Sequence, residues 1–347
     1  MTATTRRSVE LWLLGPWPSP RDLARAARRH EDNGWDGMVL ADSQNLGPDP
    51  FVSLGIAATA TSKLKLGTGV TNPVTRVAAV MATAIITVQA VSGGRAVLGI
   101  GRGDGALVPL GLRPASVAEF EGYLDQLQGY LRGASVPMNG TESRLVYLDT
   151  DPVPKVPVDV AATGPRMLRL AATKADIVSC AVGALTDRAR YCRDIIRTAR
   201  LEAGLDPDAI TLSCYVPVAV TGALNKREAR DVIRASASIF ARFSAMEGKV
   251  TEGVTEGEEP FLARMASRYQ GPTGHPTFTA ATVIDDDEFI DRFAIIGTPA
   301  ECAERLQALI SLGFARIIVI TRSFGSDLHD VMSARVAQEV FPLLDLR

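Results

Sequence analysis

Short runs of apolar, β-prone residues recur along the chain and alternate with longer segments whose apolar positions repeat at helical spacing. The runs Val9–Leu14, Gly37–Ala41, Leu64–Val70, Ala96–Ile100, Val158–Ala162, Asp176–Cys180, Ile210–Val220 and Ile317–Thr321 read as strands. Helical patterns fall between them at Arg21–Asn33, Pro50–Thr61, Arg76–Val91, Val117–Arg132, Pro165–Thr173 and Thr186–Ala203. A long helix begins near Lys226, another spans Pro299–Leu312, and a last one lies near Asp327–Val340. Near-continuous apolar strands interleaved with amphipathic helices predict a parallel sheet covered by helices. Eight such units close naturally into an α/β fold of the (β/α)8 TIM-barrel type. A doubly wound sheet would need a glycine fingerprint after the first strand, where this chain has Gly15-Pro16-Trp17-Pro18.

Two segments interrupt the rhythm. Residues 133–157 are rich in Pro, Gly and polar residues and read as decoration on the side of the barrel away from the active face. The stretch 244–292, with TEGVTEGEE, GPTGHPTF and the acidic run 285–288, lies between the last two strands and reads as an insertion that covers the C-terminal face. The expected organisation is therefore one TIM-barrel domain over 1–347, with insertion segments and a lid at 244–292.

Composition narrows the function class. The 347 residues carry 37 basic and 39 acidic side chains, a net charge of −2, and 46% hydrophobic content. This is ordinary globular arithmetic, which argues against a polybasic nucleic-acid partner. The longest charge-free stretch, Val77 to Val91, is too short and too polar for a membrane span, and the N-terminal residues lack a signal-peptide pattern. The expected location is the cytoplasm. Cys180, Cys192, Cys214 and Cys302 form no C-x-x-C pair and read as small buried hydrophobes; His30, His275 and His329 have no metal-binding spacing. Neither a G-x-S-x-G elbow nor a Walker loop is present, so serine hydrolase and P-loop chemistry drop out. The stretches Phe51–Thr61 and Val77–Val91 contain no charge where an outer helix should be polar, which predicts a homodimer packed through helices 51–61 and 77–91.

In a barrel, chemistry sits just past the C-terminal ends of the strands. There the chain places Ala41-Asp42-Ser43-Gln44-Asn45, Gly67-Thr68-Gly69-Val70-Thr71-Asn72-Pro73, Gly99-Ile100-Gly101-Arg102-Gly103-Asp104 and Ala162-Thr163-Gly164-Pro165-Arg166. The last of these opens a helix, and unpaired N–H groups at a helix start suit a phosphate, with Arg166 as an added cation.

These residues carry a resemblance. Leu66–Pro73 and Ser92–Asp104, together with Glu31–Asp36, Ala162–Pro165 and Ile296–Pro299, resemble the luciferase-like superfamily of flavin and deazaflavin enzymes. The likeness is greatest to the coenzyme F420-dependent branch typified by methylenetetrahydromethanopterin reductase. The resemblance implies an oxidoreductase that moves a hydride between F420 and a small organic substrate, with the ring against a bulge at Gly69–Val70, where the family has a non-proline cis bond. By the same resemblance Asp42 lies beside the reacting face, and Asn72 and the loop Gly101, Arg102, Asp104 bind the ring or its side chain. Thr163, Gly164, Pro165 and Arg166 hold the phosphate, and the loop with Val182 and Gly183 lines that groove. The catalytic candidates are Asp42 and Glu10. The family's strand-one glutamate falls at Leu13 in an ungapped comparison, and Ser43 stands where related enzymes often have histidine, which separates this chain from pterin reduction. Two alternatives share the barrel: an FMN-dependent luciferase-like monooxygenase, and a flavin-binding barrel without turnover. No metal is expected.

Overall fold

The computed structural model describes residues 8–15, 19–103, 105–245, 252–254, 258–267, 285–321 and 328–347. Eight parallel strands close on themselves: β1 (Glu10–Leu14), β2 (Gly37–Leu40), β3 (Lys65–Thr68), β4 (Ala96–Ile100), β7 (Val158–Ala162), β8 (Ile177–Cys180), β9 (Thr211–Val220) and β11 (Arg316–Ile320), with β11 pairing back onto β1. The remaining strands lie outside this cycle. β5 (Val136–Met138) and β6 (Thr141–Ser143) form an antiparallel hairpin, and β10 (Ile295–Gly297) pairs with the end of β9 and, among the described residues, with no other strand.

All eight strands read from the sequence are present, with ends displaced by no more than two residues. The helices between them are α1 (Pro20–Asp32), α2 (Pro50–Ala60), α3 (Ala78–Ser92), α4 (Val117–Leu131), α5 (Pro165–Lys174), α6 (Thr186–Glu202), α7 (Lys226–Arg242) and α10 (Pro299–Ser311). Local chemistry fixes their starts: Ser116, Asn225 and Thr298 each close a capping box, and prolines occupy the first turns of α1, α2, α5 and α10. The described parts of the 244–292 stretch include α8 (Glu259–Ser267) and α9 (Asp287–Phe293), while most of it lies outside the described residues. α9 packs its Phe289, Ile290 and Phe293 into the main core, so this end of the stretch is structural. The chain ends in α11 (Leu328–Arg335) and two further turns.

Strand alternation sorts the side chains into two cores. Leu11, Leu13, Met38, Leu40, Leu66, Leu98, Val160, Cys214 and Ile317 face the helices, and Trp12, Leu14, Val39, Val97, Tyr215, Ile318 and Ile320 fill the barrel. The four cysteines are buried thiols, as their apolar surroundings in the sequence predict; burial pushes the Cys302 thiol up to about 11.

The lower barrel interior also holds an ion pair. Arg316 donates to Asp159 Oδ2 through Nη2, to Ser179 Oγ (3.1 Å) and, through Nε, to Ser213 Oγ (3.1 Å), while its guanidinium lies 4.8 Å from the Trp12 ring centroid. Both charged side chains are almost fully excluded from solvent. Burial raises the Asp159 carboxyl above the usual carboxylate range, and Arg316 opposes that shift.

Strand β9 changes partners part-way along. Ser213–Pro217 pair with β11, whereas Val218–Val220 pair with β10. Pro217, which has no N–H to give a ladder, sits where the change occurs.

Candidate active site

The C-terminal ends of β2, β3 and β4 meet in a cluster built around Asp42. Its carboxylate is 2% exposed, yet both oxygens are engaged. Oδ2 accepts from Thr71 Oγ1 at 2.6 Å and from Arg76 Nη1, and Oδ1 accepts from Gln44 Nε2 at 3.1 Å. Arg76 reaches further: Nη2 donates to Asp49 Oδ2 at 2.7 Å, and its guanidinium covers the Phe51 ring at 4.9 Å. Asp49 in turn caps α2 through the N–H groups of Phe51 and Val52. A charge-assisted network thus ties the loops after β2 and β3 to the start of α2 and presents Asp42 as a fixed acceptor.

The bulge after β3 is held by backbone. Gly69 N donates to Leu40 O (2.8 Å), Thr71 N to Gly99 O (2.9 Å) and Gly101 N to Thr71 O (3.0 Å), and the Gly69–Val70 peptide is cis. Glycine is required here for space. A Cβ on Gly69 would lie 2.6 Å from Val39 Cγ2, and one on Gly99 would lie 2.0 Å from the Thr68 carbonyl oxygen. Asn72 is buried at the turn that follows; its Oδ1 accepts from the N–H groups of Val74 and Thr75 and from Thr75 Oγ1. Its amide NH2 makes no hydrogen bond among the described residues and is the part left for a ligand.

Gly101 follows directly, and Gly103 adopts a positive φ of 95°. Arg102 is held by its own loop, with Nε donating to the Ala115 carbonyl at 2.6 Å while Ala115 N returns a bond to Arg102 O. Asp104 lies outside the described residues. At the next strand end Gly164 occupies the N-cap of α5 without a side-chain cap, Pro165 opens the first turn, and Thr163 is half-buried. The first amides of α5 are therefore open to an anion. Arg166 is exposed beside them and makes no ion pair among the described residues.

Two expectations need correction. Glu10 is not at this mouth: it begins β1 at the opposite end of the barrel, is ion-paired with Lys65 at the start of β3, and accepts from Trp12 Nε1 at 2.9 Å. Leu13 faces the helices, so the inward position of β1 nearest the mouth is Leu14, which carries no acid. The loop after β8 is also more closed than its glycine suggests. Val182 is fully buried, and a Cβ on Gly183 would lie 2.3 Å from the Phe293 carbonyl, which accepts from Ala184 N at 2.8 Å. α9 covers this side because its phenylalanines complete the core.

The sequence reading missed Thr71, Gln44 and Arg76 as partners of Asp42, and Tyr215. Arg76 had a visible signal: it is the charge that immediately precedes the charge-free stretch 77–91. Tyr215 lies at an inward position of β9, with its hydroxyl 3.3 Å from where a Gly69 Cβ would sit and no hydrogen-bond partner among the described residues. Burial raises it above the usual tyrosine range.

Both the sequence and the barrel are similar to known proteins. The family model described as "Luciferase-like monooxygenase" matches residues 2–316. The 5,10-methylenetetrahydromethanopterin reductase of Methanolobus tindarius is 28% identical over 306 residues, 85% of this chain and 89% of the relative. The F420-dependent glucose-6-phosphate dehydrogenase of Beutenbergia cavernae is 26% identical over 350 residues, covering 95% of each chain. Among solved structures, the coenzyme F420-dependent tetrahydromethanopterin reductase of Methanopyrus kandleri superposes with a TM-score of 0.73 at 22% identity, covering 96% of this chain and 99% of that one. That superposition supports the barrel, and the match of the family model across most of the sequence supports more: the chain belongs to the luciferase-like monooxygenase family.

Proposed function

We propose that the protein is a coenzyme F420-dependent oxidoreductase that transfers a hydride between the deazaflavin and a small organic substrate. The observation that carries the reading is the coincidence of a glycine-built bulge at Gly69–Val70, the Asp42 cluster and the open start of α5 at one barrel mouth, in a chain similar over nearly its whole length to F420-dependent relatives. The donor set fits the group: Gly164 and the first amides of α5 suit its phosphate, Arg166 suits the charged tail, and the Gly69–Val70 bulge is where the family resemblance puts the ring. Asn72 Nδ2 is placed to donate to it. When bound, the deazaflavin supplies the two-electron chemistry. The chain's own part is to hold that ring against the bulge and to orient the substrate through Asp42, whose geometry is fixed by Arg76, Thr71 and Gln44. Asp42 orients rather than protonates in this reading, since both oxygens already accept hydrogen bonds. The proposal keeps the cytoplasmic location expected from the sequence; among the described residues no helix is long and apolar enough to cross a membrane.

The family also contains enzymes that use FMN, and the start of α5 can seat either phosphate, so the cofactor test is a competition. F420 is expected to bind at least about tenfold more tightly than FMN, roughly 1.4 kcal/mol. Asp42→Ala should slow turnover while largely sparing F420 binding. Equal or tighter FMN binding, read by absorbance titration, would promote the monooxygenase reading, and F420 binding without turnover on any small carbonyl or alcohol would favour a non-catalytic barrel.

The proposal includes a homodimer. α2 and α3, neither of which carries a charge, expose Val52 (66%), Val80 (54%) and Val91 (49%), with Val77 (59%) at the start of α3 and Tyr147 beside Thr83. Exposed apolar residues on an uncharged outer helix pair fit an isologous contact with a second copy. Val80→Asp should convert a dimer to a monomer in sedimentation at micromolar concentration, and an unmodified protein that sediments as a monomer would remove the dimer from the proposal.

A further inference from the structure

We propose that His30, His329 and Asp330 form a site for one divalent transition-metal ion of the zinc type, joining the last turn of α1 to the first turn of α11. The site involves none of the groups at the barrel mouth and does not depend on the cofactor reading.

Nothing in the sequence spacing brings these residues together, since almost 300 positions separate His30 from its partners; the closed barrel does. The two imidazoles meet edge to face with ring centroids 5.9 Å apart, and one ligand atom from each of the three side chains lies within 4.8 Å of the others. Around a tetrahedral ion with bonds of about 2.0 Å, donor atoms stand roughly 3.3 Å apart, so a rearrangement on the order of 1 Å completes the set.

The surroundings of each residue favour that role. His30 is wholly excluded from solvent, and neither of its ring nitrogens has a hydrogen-bond partner among the described residues. A buried imidazole with both nitrogens unsatisfied is costly and uncommon, and a metal ion would satisfy one of them. His329 Nδ1 lies 3.1 Å from Thr321 Oγ1, the outer hydrogen bond that commonly orients a metal-binding histidine. Asp330 is paired with Arg29 Nη2 at 2.5 Å and is 44% exposed, which leaves its other oxygen for the ion and gives the site a route from solvent. Two imidazoles with a carboxylate select zinc-like ions over magnesium or calcium. The expected role is structural, clamping the C-terminal helix to the first.

The test uses the full-length, untagged protein, stripped with a chelator and titrated with Zn²⁺ alone. Thermal unfolding should move to higher temperature and saturate at one equivalent, and Co²⁺ should produce a visible d–d absorption band. His30→Leu should abolish both responses, Asp330→Asn should weaken Zn²⁺ binding at least tenfold, and His275→Ala should change neither. Asp330→Asn, at a half-exposed position, keeps the test readable if His30→Leu does not fold. The proposal is overturned if neither ion gives a response, or if the response survives unchanged in His30→Leu or Asp330→Asn.

Discussion

Arg316→Met should lower the unfolding free energy by about 3–5 kcal/mol, because it leaves the Asp159 carboxylate buried without its counter-ion. The pair sits inside the barrel against Trp12, Ser179 and Ser213, where water cannot replace the lost guanidinium. The surviving acid can escape the penalty by taking up a proton. Burial already raises its folded-state proton affinity above that of the unfolded chain, and without Arg316 it rises further. The sign follows: the variant's folded state binds more protons than its unfolded state, so its deficit is largest at neutral pH and above and shrinks as the pH falls. Combining Arg316→Met with Asp159→Leu should recover most of the loss, since two apolar side chains remove the stranded charge. Urea denaturation of the two single variants and the double variant, at neutral and acidic pH, measures the coupling. Near-additive losses would show that the two charges do not depend on each other.

The second large effect is expected at Gly99. An alanine Cβ there would lie 2.0 Å from the Thr68 carbonyl oxygen and 3.1 Å from its carbon, which are backbone atoms that cannot rotate away. β3 and β4 would have to separate by about 1 Å at the point where Thr71 N donates to Gly99 O, and displacements of that size at a reacting centre cost roughly a hundredfold in rate. Gly99→Ala should therefore reduce turnover by about two orders of magnitude and weaken F420 binding as well. Gly122→Ala is the matched control. It lies exposed in α4 with nothing within 4 Å of the added methyl, and it should leave binding unchanged and gain up to about 1 kcal/mol in stability. Equal binding and turnover in Gly99→Ala and wild type would remove the bulge from the proposed site.

The barrel was legible because its signal is periodic and local. Most strands are short runs rich in apolar residues, and several helices open on a side-chain cap or a first-turn proline, so the repeats reinforce one another. β10 was not read because three residues, Ile295 to Gly297, carry no alternation and follow directly on the stretch 244–292 assigned to a lid. The hairpin had a usable sign: Asn139-Gly140, both with positive φ, form the dipeptide that favours tight hairpin turns, but Pro137 and the exposed, polar flanks obscured the strands. For the site, glycine loops and Asp42 could be found from their positions after strands. Their partners could not, because the Asp42–Arg76 bond spans 34 residues and Arg316–Asp159 spans 157. The misassignment of Glu10 has a simple cause. An acid on strand one is visible in sequence, but only the C-terminal ends of barrel strands meet the mouth, and Glu10 is the strand's first residue rather than its last.

The change of partner along β9 divides the structure into layers of different resistance to opening. Up to Pro217 the strand belongs to the closed ring, laddered to β8 over Thr211–Cys214 and to β11 over Ser213–Pro217, where opening exposes the inner core. Beyond it, Val218–Val220 are held by the three-residue β10, whose neighbours α9 and α10 pack from outside the ring. Amide hydrogens of Val218–Val220 and Ile295–Gly297 should accordingly exchange through a sub-global opening that leaves the ring intact, whereas those of Ser213–Val216 wait for global unfolding. The ten residues of β9 thus belong to two cooperative units, and the proline marks their boundary.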